Sequence, residues 1–104
     1  MSRGIARLGD RAQGVCSHPS HSSPISVGGT IITASPDTNA NNRGVARVND
    51  LVRTDCGHTD KILTGSPDTN ANNRAVARLN DLIGVDGIYN ARIISASPDT
   101  NANS

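Results

Sequence analysis

The chain has 104 residues and a formal net charge of +1, room for one domain of ordinary size, expected to span 1–104. That balance excludes electrostatic binding to nucleic acid or acidic membranes, which needs a clear excess of Lys and Arg. No apolar run approaches the roughly 20 residues that cross a bilayer, and Met1-Ser-Arg-Gly-Ile-Ala-Arg7 lacks the apolar stretch of a signal peptide.

Elements are expected to be short strands joined by turns. Glu is absent, Lys61 is the only lysine, and Tyr89 is the only aromatic residue, so the usual vocabulary of exposed helices is missing. Asn, Asp, Gly and Pro favour turns, and Ile and Val suit strands, which predicts an all-β chain with a thin core.

In chain order, the first unit opens with a predicted strand at Ile5-Ala-Arg-Leu8, followed by Gly9-Asp10. A variable loop carrying Cys16-Ser-His18-Pro-Ser-His21 comes next. A second strand is predicted around Thr30-Ile-Ile-Thr33, then an Asn-rich turn, Ser35-Pro-Asp-Thr-Asn-Ala-Asn-Asn-Arg43. The second unit repeats this order: Val45-Ala-Arg-Val-Asn-Asp50, a loop with Cys56-Gly-His58, Lys61-Ile-Leu-Thr64, and the turn Ser66 to Arg74. The third has Val76-Ala-Arg-Leu-Asn-Asp81, a loop with Gly87 and Tyr89, Arg92-Ile-Ile-Ser95, and the turn Ser97 to Asn103. The turns begin at 35, 66 and 97, a period of 31, and the first unit is nine residues longer between Asp10 and Ser35. Units this short cannot bury a face alone, so they must pack on one another. Three copies without recognisable caps favour closure around a pseudo-threefold axis over an open solenoid.

Every Cys and His falls in two equivalent loops. Cys16, Cys56 and Gly87 stand six residues after Asp10, Asp50 and Asp81, and His18, His58 and Tyr89 stand eight after them; His21 is additional. Closure would gather these five donors at one end of the axis, where zinc takes four in a tetrahedron. A disulfide or scattered surface polarity would not require this confinement, so a metal site is expected, its ligand set left open by spacing alone. Five donors point to a closed, structural site, although Asp55 or Asp60 could act as a base in a small metal-dependent hydrolase. The segment Asp37-Thr-Asn-Ala-Asn41 matches the opening of a calcium loop, but Asn42 and Val48 stand where Gly and Glu are required, which favours a side-chain-capped turn. Arg7, Arg47 and Arg78 stand three residues before Asp10, Asp50 and Asp81, a pattern expected to form ion pairs between neighbouring repeats.

These Ala-Arg-x-x-Asp units with Cys56-Gly-His58 between them resemble the PAAR-repeat family across the whole chain. Arg43-Gly-Val-Ala-Arg47 and Arg74-Ala-Val-Ala-Arg78 stand where that family has Pro-Ala-Ala-Arg. The resemblance implies a non-enzymatic β cone with a metal near its tip, capping the trimeric β-helical spike of a contractile tail or type VI secretion system, one copy per trimer. It implies zinc, with iron as the alternative, held by His18, His21, Cys56 and His58, with Cys16 an alternative ligand. It also implies transient contact with a target membrane, no small-molecule substrate, and a location at a phage tail spike or a secreted type VI tip. A zinc-stabilised protein-binding adaptor is the competing reading.

Overall fold

The computed structural model describes residues 2–19, 21–35, 38–40, 43–66, 69–71, 74–97 and 101–103. Among them the backbone forms strands and no helix, so none is long and apolar enough to cross a membrane. The strands are β1 (Ser2–Gly4), β2 (Arg11–Cys16), β3 (Ile25–Ile31), β4 (Asn39–Ala40), β5 (Arg43–Gly44) and β6 (Leu51–Thr54). They continue as β7 (Thr59–Lys61), β8 (Asn70–Ala71), β9 (Arg74–Ala75), β10 (Leu82–Ile83), β11 (Tyr89–Ile93) and β12 (Asn101–Asn103).

Six of them make one antiparallel sheet in the order β10-β11-β2-β3-β6-β7. An Ile62–Ile83 bridge joins its two ends, so the sheet curls into a nearly closed barrel. The hairpins β2–β3, β6–β7 and β10–β11 come from the three sequence units. The seams between them are unequal. Five residue pairs join β11 to β2 and three join β3 to β6. The third seam has the single bridge, with Leu63 N–H donating to Leu82 O (2.7 Å) and Gly84 N–H to Lys61 O (3.0 Å).

The interior repeats with the sequence. Ile31, Ile62 and Ile93 are 31 residues apart and buried; Ala12, Val52 and Ile83, each two residues after a repeated Asp, are buried too. Each large aliphatic residue withdrawn from water stabilises by roughly 1.5–3 kcal/mol. Tyr89 supplies the only ring in the core, and Gly29 makes room for it: a Cβ there would stand 2.9 Å from the Tyr89 ring and 3.1 Å from Val52.

The Ile/Val-Ala-Arg segments, expected as strands, instead form bridges around the axis: Ile5 with Arg78, Val45 with Arg7, and Val76 with Arg47. Between them Ala6 N–H donates to Ala77 O (3.0 Å), Ala77 N–H to Ala46 O (2.9 Å), and Ala46 N–H to Ala6 O (2.9 Å). This triangle of backbone bonds closes on three fully buried alanines. The ladder strands β2, β6 and β10 arise within the stretches expected as variable loops.

Each segment then turns sharply. Asp10, Asp50 and Asp81 N–H groups donate to Arg7, Arg47 and Arg78 carbonyls at 3.0 Å, and Gly9, Asn49 and Asn80 take positive φ (86°, 73° and 71°). Glycine and asparagine tolerate that region best, which explains the Leu/Val-Gly/Asn-Asp pattern. The Arg–Asp pairs lie within each repeat and are buried, rather than between repeats. In each, the Asp carboxylate accepts from the Arg backbone N–H and from Nε of the same residue, at 2.7–2.9 Å. Neighbouring repeats join through other groups. Thr33, Thr64 and Ser95 hydroxyls donate to Asp50, Asp81 and Asp10 of the next unit. Within a unit, Arg43 and Arg74 also approach Asp10 and Asp50, at 3.5 and 3.2 Å.

Burial alone would raise the Asp10 carboxyl, but hydrogen bonds and charge from Arg7, with the Ser95 hydroxyl, hold it below the ordinary range. A lowered folded-state value contributes stability above the unfolded pKa of about 3.9, lost as pH falls through the folded value. Urea titrations at pH 7 and pH 3 should therefore show an acid loss in the native chain that is smaller in Asp10→Asn. Equal losses in both would remove Asp10 from this role.

Beyond the barrel lie three small hairpins: β4–β5, β8–β9 and β12–β1. Their registers match, Asn39 facing Gly44, Asn70 facing Ala75 and Asn101 facing Gly4. Ser35, Ser66 and Ser97 N–H groups donate to Val45, Val76 and Ile5 carbonyls, all at 2.8 Å. The third hairpin is thus assembled from the two ends of the chain. Asp37, Asn41 and Asn42 of the candidate calcium segment lie outside the described residues. The principal extents are 39 × 25 × 23 Å.

Candidate metal centre

The hairpin connections 17–24, 55–58 and 84–88 lie at the end of the barrel away from the small hairpins. Cys16 closes β2, in register with Tyr89 on one side and Ile25 on the other, and its side chain is fully buried. Ser17 N–H donates to Ile88 O (2.8 Å), tying the first connection to the third. Beyond it His21 N–H donates to His18 O (3.0 Å), a turn that folds His21 back toward the axis.

The second connection is held by Thr54, which sequence reasoning did not single out. Its N–H donates to His58 O (2.7 Å), its Oγ1 accepts from His58 N–H (2.8 Å), and Oγ1 lies 3.1 Å from Cys56 Sγ. Gly57 N–H donates to Thr54 O (3.0 Å) with φ at 94°, a turn that suits glycine. One buried hydroxyl therefore fixes both Cys56 and His58.

Side-chain donors of Cys16, His21, Cys56 and His58 all lie within 4.8 Å of one another, a group that could hold a metal ion. His18 lies outside that group: its ring stacks on His58 at 3.8 Å between centroids and 8° between planes. The His21 ring stands edge-on to His58 at 5.2 Å and 77°. The thiols are free. His21 Nε2 is buried with no hydrogen-bond partner among the described residues. Two thiols and two imidazoles, one of them with an orphaned ring nitrogen, fit zinc. A tetrahedral ion bound at about 2.0–2.3 Å sets its ligands roughly 3.5 Å apart, within the span of this group.

The electrostatics suit ligation. The Thr54 hydroxyl holds the Cys56 thiol below its ordinary range, and burial pushes Cys16 up. Desolvation, with the nearby His18 and His21, holds His58 low and so favours the neutral, ligating imidazole. Tyr89, at the position in the third unit matching His58, turns inward instead; its hydroxyl donates to Val27 O (2.7 Å), and burial pushes it up to about 12.

A family model for the PAAR motif matches residues 21–89. The chain belongs to the PAAR-motif family. Membership supports a spike-tip role in contractile injection systems, where these structural proteins sit on the spike. No curated protein matches the chain. In this PAAR-motif protein the matched region takes in His21, Cys56 and His58, and leaves Cys16 and His18 before it.

The two acids considered as bases are otherwise engaged. Asp55 pairs with Arg11 at the surface (2.8 Å). Asp60 is buried and accepts four backbone N–H bonds, from Lys61 (2.7 Å), Asp86 (2.9 Å), Ile88 (2.9 Å) and Tyr89 (3.0 Å). Burial alone would raise its carboxyl, and those four donors hold it low. Asp60 thus pins the third connection to β7 across the weakest seam.

Proposed function

We propose that residues 1–104 form one cone that caps the trimeric β-helical spike of a contractile tail or type VI secretion system, one copy per trimer, and sharpens it for penetration. The observation that carries this reading is the base: a single chain presents three equivalent hairpins around the closed alanine triangle, so one copy offers a threefold partner three matching surfaces. Exposed strand ends there suit addition to the end of a partner's sheet.

The apex metal is zinc in this reading, with iron the alternative that elemental analysis separates. Its proposed ligands are Cys16, His21, Cys56 and His58, favoured by the mutual approach of their donors and by the orphaned His21 nitrogen. His18, which the family resemblance put in place of Cys16, stacks on His58 and supports it. The ion cross-links the first two connections at the apex, which stiffens the tip. The engagement of Asp55 and Asp60 in structural bonds supports a non-catalytic site.

The test is native mass spectrometry of the protein mixed with the spike trimer encoded beside its gene. One copy per trimer is expected, weakening little from low to moderate salt because the net charge is only +1. Three copies per trimer, or no complex, would reject the cap and promote the adaptor reading.

A further inference from the structure

We propose that the apex contains a peroxide-sensitive disulfide site: oxidation joins Cys16 to Cys56 and expels the metal they help to hold. The proposal rests on the metal-centre reading above. Both thiols are free, and their sulfurs belong to a donor group spanning no more than 4.8 Å. A disulfide sets its sulfurs about 2.0 Å apart, so closure requires an approach of under about 3 Å.

Burial fixes the order of events. Cys16 is fully buried and Cys56 only half-buried, so an oxidant from solvent meets Cys56 first. Hydrogen peroxide transfers one oxygen to the Cys56 sulfur: the O–O bond breaks, an S–O bond forms, and the departing hydroxide takes a proton from solvent and leaves as water, since a metal-bound thiolate carries none. The Cys16 thiolate then displaces the hydroxyl, forming S–S and breaking S–O, and that hydroxide takes a second solvent proton and leaves as a second water. Two electrons pass from the sulfurs to the peroxide oxygens. Two of the four proposed ligands are thereby consumed, and the imidazoles of His21 and His58 remain too few to close a tetrahedral site. A centre with a single thiolate lacks this intramolecular route.

The experiment treats zinc-loaded protein with hydrogen peroxide and follows zinc with a colorimetric indicator and thiols by peptide mass mapping. One equivalent of zinc should be released as both thiols disappear, with a Cys16–Cys56 cross-linked peptide lighter by two hydrogens. Reductant and added zinc should restore the starting species. In Cys16→Ser, Cys56 should stop at a sulfenic acid trapped by dimedone; the map of the unaltered chain decides the matter if that variant does not fold. Retention of zinc with both thiols intact would overturn the proposal, as would release with Cys56 over-oxidised and Cys16 still a thiol. Metal content before oxidation reports separately on the metal-centre reading.

Discussion

Chelation of the apex metal should lower the melting temperature by roughly 15 °C or more. Structural zinc contributes on the order of 10 kcal/mol in small domains. This chain also has a barrel core, so only part of that is lost, but each kcal/mol shifts the midpoint of a domain this size by about 4–8 °C. His58→Ala should reproduce the loss. Calorimetry with elemental analysis also distinguishes the fourth ligand: Cys16→Ser should purify with little metal, whereas His18→Ala should keep close to one equivalent. A metal-free preparation melting with the native chain would eliminate the structural role. The reverse order of those two variants would restore His18 as ligand.

Asp60→Ala should cost about 3 kcal/mol or more in urea unfolding. It removes the acceptor of four backbone N–H groups, and each buried donor left unsatisfied costs roughly 1–3 kcal/mol, with water recovering some of them. The loss falls where the barrel is joined by a single bridge, so amide exchange at 86–89 should rise together with the drop in stability. Asp60→Asn should be little better, because its NH2 group faces donors. Asp86→Ala is the contrast: that carboxylate is exposed, 3.6 Å from Lys61, and its loss should change stability by under about 1 kcal/mol. Equal effects at Asp60 and Asp86 would exclude the pinning role.

Residues that keep the repeat were legible in the sequence, and those that break it were not. The period of 31 announces three units, and residues that recur with it, such as Ile31, Ile62 and Ile93, occupy matching places in the core. Confinement of Cys and His to two loops announces their convergence, since closure brings those loops to one end. Asp60 is different. Its periodic counterparts are Gly29 and Ala91, so it breaks the repeat, and three of its four partners are backbone amides 26 to 29 residues away with no side-chain signature. The strands β2, β6 and β10 were hidden because few of their residues are β-branched or aromatic: β2 reads Arg-Ala-Gln-Gly-Val-Cys, β6 is four residues long and β10 two. The placement of Cys16 and His18 was hidden too: the nine-residue insertion loosens the first loop from the period, so spacing alone does not say which side chain lies beside His21, Cys56 and His58.

The hairpin made from the two chain ends has a consequence for the entropy of the unfolded state. Ala40 and Arg43, like Ala71 and Arg74, face one another across two intervening residues, whereas Arg3 and Ala102 meet with no covalent link between them. The molecule is in effect a ring with one nick. Joining Asn103 directly to Ser2, which leaves two residues between Ala102 and Arg3 as in the other hairpins, would deny the denatured chain the separation of its ends. In the chain-entropy treatment, cross-linking a loop of about 100 residues stabilises by roughly 4.7 kcal/mol. Once sealed, the ring could be cut between 41 and 42 or between 72 and 73 and still form all three hairpins, because each cut only moves the nick to an equivalent position.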